Sequence, residues 1–165
     1  MASVSESIYN LLAVGWDAET GWTPASPFET LAPGGVYDRM ILRPPSKGAT
    51  PLAFDAGGRP LVCIVVPDEG ELVADDGPMD LSLDLQAMQA FPTVWFYGPT
   101  TATGKAAVRA LSAAVYAALN GASVTGPGGS SIGLRASQRK GVADDPGLSG
   151  AVSDFIRFQA DGIWS

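Results

Sequence analysis

Residues 91–121 read FPTVWFYGPTTATGKAAVRALSAAVYAALNG. The stretch opens as a buried strand: Val94, Trp95, Phe96 and Tyr97 are β-branched or aromatic, and Pro92 sits near its start, where a missing N–H is tolerated. A Gly/Pro/Thr turn follows. From Thr103 to Leu119 the spacing predicts a helix. Val108, Leu111, Val115 and Leu119 form a core stripe, and Ala107, Ala114 and Ala118 add a small-residue flank that allows close approach to a sheet or helix. Thr101 or Thr103 can cap the first turn with a hydroxyl, and Asn120-Gly121 is a natural stop.

The turn of this segment approaches a nucleotide-binding loop without reaching it. A phosphate-binding loop needs glycine, four residues, then Gly-Lys-Ser/Thr between a strand and a helix. Here five residues, Pro99 to Thr103, separate Gly98 from Gly104-Lys105, and Ala106 stands where the magnesium-binding hydroxyl belongs. The extra residue changes the curvature with which backbone N–H groups wrap phosphate. A capped strand-to-helix corner is therefore expected.

Outward from this unit, the 165-residue chain is long enough for one domain with a real core. It is 46% hydrophobic but only 16% charged, below the usual quarter or so. Its 20 Gly and 13 Pro predict extensive loops. A net charge of −7 argues against a general nucleic-acid binder, which presents a basic face. There is no histidine, which removes the commonest general base and the commonest metal ligand. The single cysteine, Cys63, lies within LVCIVV and reads as a buried thiol with no intrachain partner. No basic leader and no apolar run near the roughly 20 residues of a membrane span are visible, so a soluble protein made in a cytoplasm is expected.

The remaining elements follow from periodicity. Residues 3–14 predict a helix capped by Ser3 or Ser5, with Val4, Ile8, Leu11 and Leu12 on one side and Gly15 as its stop. Residues 16–35 read as a long loop anchored by Trp16, Trp22 and Phe28. Residues 36–42 suggest a strand, and 43–60 a Pro/Gly-rich excursion. LVCIVV at 61–66 is a short buried strand between two prolines. Leu81, Leu83 and Leu85 alternate with polar residues and predict a half-buried strand over 81–86. Residues 122–133 read as a turn or mobile loop, and 134–150 carry Arg135, Arg139 and Lys140 followed by the turn-like DDPG. Residues 151–159 are a last strand with aromatics in both alternating sets, so cover is expected on both faces. Ile163 and Trp164 form an apolar tail in need of a docking place. The sum is an α+β domain over residues 1–165: a mainly antiparallel sheet with an N-terminal helix and one long helix packed on it, and long loops.

Candidate chemistry is thin. The acidic run holds Asp68, Glu69, Glu71, Asp75, Asp76, Asp80 and Asp84, but Asp75-Asp76-Gly77-Pro78 breaks the order of a calcium loop. A solvated hairpin, or a charged contact with a neighbour's basic residues, fits it better. Ser137-Gln138-Arg139-Lys140 matches the S-x-x-K of serine acylases as an isolated tetrapeptide, without the accompanying motifs. Arg135, Arg139 and Lys140 could touch phosphate or pair with acids of an adjacent subunit; in so acidic a chain the second suits them better. Trp95, Phe96 and Tyr97 read as core ahead of a base-stacking platform. No cofactor, metal site or catalytic constellation is expected.

The order of elements resembles that of another class of protein. The helix SESIYNLLA, an aliphatic strand around position 63, a leucine-alternating strand, the strand FPTVWFYG, the helix KAAVRALSAAVYAALNG and the late strand AVSDFIRFQ come in the sequence of the tail terminator (tail completion) proteins of long-tailed bacteriophages. The resemblance rests on Val94 to Tyr97, Lys105 to Leu119, the Asn120-Gly121 stop and the Asp154-Phe155 pair. It implies a structural virion protein, not an enzyme, forming a ring of this chain (usually a hexamer) on the head-proximal end of the tail tube. The ring's partners would be the tube protein and the head–tail connector, with DNA passing through its lumen without sequence-specific binding and no membrane involved. Assembly in a host cytoplasm is implied as well. A head–tail stopper or adaptor ring is the nearest alternative, and a small nucleotide-binding enzyme using the Gly98–Lys105 loop a more distant one. Asp68, Glu69, Glu71, Asp75, Asp76, Arg135, Arg139, Lys140 and Trp164 are then candidates for inter-subunit or lumen contacts.

Overall fold

A computed structural model describes residues 4–14, 23–25, 27–37, 59–67, 73–74, 86–125 and 131–164. In chain order the elements are α1 (Val4–Leu12), β1 (Ala13–Val14), β2 (Thr23–Pro24), β3 (Val36–Tyr37), β4 (Cys63–Val65), β5 (Val73–Ala74), β6 (Gln86–Ala90), β7 (Thr93–Pro99), α2 (Ala102–Leu119), β8 (Ser123–Thr125), β9 (Ser131–Arg139), β10 (Ala143–Asp144) and β11 (Ala151–Trp164). The fold is α+β, as expected: among the described residues, a nine-stranded sheet, antiparallel except where β3 runs parallel to β4, and two helices.

The sheet is organised on β11, 14 residues long. Along one edge it pairs with β7 from Ala151↔Pro99 to Arg157↔Thr93, then with β6 from Ala160↔Ala90 to Trp164↔Gln86. The register is unbroken, so β6 and β7 are two parts of one strand interrupted at Phe91-Pro92. Pro92 has no N–H to donate, but its carbonyl still accepts from Phe158 N at 2.9 Å. Along the other edge β11 pairs with β9 and then β10, through a bulge at Arg157/Phe158. Such bulges add local twist. β4 and β5 extend the β6–β7 side, and β8 extends the β9 side.

Both helices cover the same face. Val4, Ile8, Tyr9 and Leu12 of α1 join Val108, Leu111, Val115 and Leu119 of α2 against Ile64, Val94, Phe96, Ile132, Leu134, Val152, Ile156 and Phe158 of the sheet. Each fully buried aliphatic side chain of the α2 stripe contributes about 1.5–3 kcal/mol. The opposite face carries a second, smaller cluster: Tyr37, Cys63, Val65, Tyr97, Leu148 and Ala151, with Trp95 packed against it. The two aromatic sets of β11 predict cover on both faces; the helix face is covered throughout, whereas the opposite face is covered only at the Ala151 end and leaves Arg157 exposed.

Several sequence expectations shift. Within 122–133, where a turn or mobile loop is expected, residues 123–125 and 131–133 are strand, pairing as β8 and the start of β9. The stretch from 134 belongs to β9 and β10, because Ile132, Leu134 and Ala136 alternate inward over a span where glycine and serine disguise the pattern. Ile163 and Trp164 are not a tail but the end of β11, paired with Ala87 and Gln86. The first helix ends at Leu12, and its Leu11 is 47% exposed, with Tyr9 in the core instead. The aromatic strand begins at Thr93 and is preceded by β6, whereas the leucine alternation at 81–85 lies outside the described residues. So do Trp16, Trp22, Gly15, residues 38–42 and most of the 43–60 excursion. Phe28 is an anchor, buried within a short turn.

Candidate assembly surface

The strand-to-helix corner resolves the near-match to a phosphate loop. Thr101 is the helix cap, its Oγ1 accepting from Gly104 N at 2.9 Å. Thr100 N donates to Gly150 O, Thr101 N to Pro99 O and Lys105 N to Thr101 O. Four of the amides a bound phosphate would want are thus donated inside the chain. The two glycines serve packing. A Cβ on Gly104 would come within 2.1 Å of Pro99 O, and one on Gly98 within 2.6 Å of Val108 Cγ2. The helix therefore closes onto the end of β7 only because both positions lack a side chain. Lys105 points to the surface, 3.7 Å from Asp144 Oδ1 in an exposed pair.

The far end of α2 is tied to β9. Gly121 takes a φ of +84°, as the Asn-Gly stop predicts. Gly121 N donates to Leu134 O, Leu134 N to Ala122 O, and Ala136 N to Asn120 Oδ1 at 2.9 Å. These bonds continue along β9 where β8 stops and cover an edge that would otherwise be open.

The basic residues singled out from sequence are not one patch. Arg139 lies on the helix side, its guanidinium 4.7 Å from the centroid of Tyr116 and near Ser112 Oγ. Arg135 points to the opposite face, toward Gln159 and, at 3.9 Å, Asp161 Oδ2. Lys140 reaches back across β11 and donates to Ser153 Oγ at 2.6 Å. The Ser137/Lys140 tetrapeptide is thereby split: Ser137 Oγ donates to Arg157 O, and the serine that meets Lys140 is fully buried. The separation follows from the bulge, which inserts Ser137 as an extra residue and reverses the alternation beyond it. Asp68, Glu69, Glu71, Asp75 and Asp76 lie outside the described residues. Trp164 ends β11, its backbone in the ladder. Among the described residues, no group of three or more metal-ligating side chains comes together.

The Asp154-Phe155 pair has a clear local role. Asp154 is buried and accepts Gly141 N at 2.8 Å, holding the turn between β9 and β10, where Gly141 has a φ of +83°. Phe155 faces the other way, its ring 4.9 Å from Trp95, which stacks in turn on Tyr97. Beyond them on this outer face come Thr93 and the exposed Arg157, joined by a long Nε–Oγ1 contact of 3.4 Å. Phe91 follows core-facing Ala90 and is 43% exposed. Sequence reading passed over both Phe91 and Arg157. Their alternation with Ala90 and with Ile156 carried the signal.

With the geometry in hand, comparison with known proteins gives one informative likeness. No family model and no curated protein matches the chain. A chain of a solved structure does. It belongs to "Virion of native gene transfer agent (GTA) particle", at a TM-score of 0.62 and 18% identity. The likeness covers 98% of this chain and 96% of that one. The two share a fold from end to end.

Proposed function

We propose that this chain is a structural virion protein of a phage-like particle, forming a ring, hexameric in our reading, at the head-proximal end of the tail tube. There it stops tube polymerisation and offers a surface to the head connector. The observation that carries the reading is the end-to-end likeness to a chain of a virion. The order of helix, strands, long helix and late strand supports the finer assignment. Such a protein acts through buried surface and shape, not through a reaction. The internally satisfied amides of the Gly98–Lys105 turn and the packing role of its glycines suit that mode of action.

Deleting the gene from its particle tests the assignment. Loss of a terminator yields tails of abnormal length, seen by electron microscopy. Full heads that leak DNA beside tails of normal length would instead mark a stopper, and intact particles would refute both.

A further inference from the structure

One path through the sheet runs β3-β4-β7-β11-β9-β8. Among the described residues β3 pairs only with β4, and β8 only with β9, so these two strands are its edges. The five steps between them would span roughly 24 Å in a flat sheet. The edges lie much closer than that, because α1 touches both. Tyr9 Oη donates to Val36 O of β3 at 3.0 Å, and Ser7 Oγ donates to Thr125 O of β8. Residues two apart in a helix point about 200° apart, so the two side chains leave α1 on opposite sides. The edges are thus held one helix width apart, about 10–12 Å.

Apolar packing agrees. Val36 and Val124, one from each edge strand, lie in a single core cluster with Ile8 and Leu12 of α1. The helix sits in the mouth of a curled sheet, where a further strand would otherwise close it. Ser7 and Tyr9 are both buried, so water competes little for their bonds. The carbonyls they meet belong to strands of two and three residues. Unpaired carbonyls along an edge are what an incoming strand from another chain would take, and a covering helix is one way of denying them.

We propose that α1 guards both edges at once: seated between β3 and β8, it denies each to a strand of a second copy, and its release opens the two together. The coupling comes from the shortness of the helix. Its nine residues carry both ties within one turn, so α1 leaves one edge only by leaving the other. The strands β7 and β11 are paired on both sides and do not depend on it. The guard acts in a single protomer and is independent of ring formation.

Hydrogen exchange on the full chain tests the coupling, with circular dichroism to confirm that each variant is folded. Ser7→Ala cuts the tie to β8, and Tyr9→Phe removes the hydroxyl that ties β3; both keep the apolar contacts of α1. Either variant alone should speed exchange about tenfold in α1, β3 and β8 together, leaving β7 and β11 at the wild-type rate. A variant that speeds only the edge it touches overturns the coupling. A double variant with neither edge altered overturns the role of the two hydroxyls. Sedimentation over rising concentration then reads the guarding itself. The double variant should form species larger than any the wild type forms. Edges that open with no change in association overturn the guarding role.

Discussion

Cys63 shows how a single position is governed by its enclosure. It lies in the smaller cluster, between Tyr37, Val65 and Tyr97, away from both helices. Burial pushes its thiol up from the ordinary 9.0 to about 12, with a backbone hydrogen bond from Tyr97 pulling the other way. At neutral pH it is a thiol and a poor nucleophile. Ellman's reagent should therefore leave the native protein unlabelled at pH 8 and react fully in denaturant. The same shift sets a pH dependence. The folded state prefers the protonated thiol, so its stabilising contribution is whole below about pH 9 and is lost as pH rises toward about 12. Tyr37 and Tyr97 are raised in the same direction, by burial first, with Asp145 and then Cys63 adding for Tyr97 and Cys63 for Tyr37. Equilibrium denaturation at stepped alkaline pH should show stability falling across that window, and phenolate absorbance should report these two tyrosines ionising only as the protein opens.

Among the elements, α2 was the most legible. Its stripe, its cap at Thr101 and its stop at Asn120-Gly121 all lie within one short window, where periodicity and capping chemistry are local. Removing the cap with Thr101→Ala should cost about 1 kcal/mol. Gly104→Ala should cost more, about 2–3 kcal/mol, because the new Cβ meets Pro99 O, a backbone atom that cannot swing aside. Urea titrations separate the two: both midpoints fall at unchanged slope, with the Gly104 variant lower. A Gly104→Ala protein as stable as wild type would mean that the corner is not packed as described. The strands were less legible. β9 does not stand out as a strand in the sequence because Gly133, Ser131 and Ser137 dilute its alternation, and its inward Ile132, Leu134 and Ala136 gain meaning only beside β11. A strand's hydrogen bonds are made with residues far away in the chain, so its own sequence carries less of the instruction.

For the molecule as a whole, β11 is the element that most of the others meet. It borders β6, β7, β9 and β10, and α2 lies across it. Ending the chain after Ala160 would remove the residues that pair with Gln86 to Gln89 but keep the whole β7 ladder. Hydrogen exchange should then show amides of β6 losing protection while those of β7 retain it. Equal loss in both would show that the sheet opens as one unit. The make-up of each sheet face depends on this same level of organisation. Phe91 and Arg135 are far apart in sequence, and only the stacking of β6–β7, β11 and β9 sets them on one face.

The chain's own sequence determined the class of fold, the long helix and its Asn120-Gly121 stop, the burial of Cys63 and the failure of the phosphate-loop match. Each rests on spacing within a few consecutive residues, which a helix turn or a short strand reads directly. Tertiary structure decided that β6 and β7 are one interrupted strand, that the apparent tail closes the sheet, and that Arg135 and Arg139 face opposite ways. Those outcomes depend on register between distant strands and on a single inserted residue at the β9 bulge, and a shift of one residue reverses every side chain beyond it.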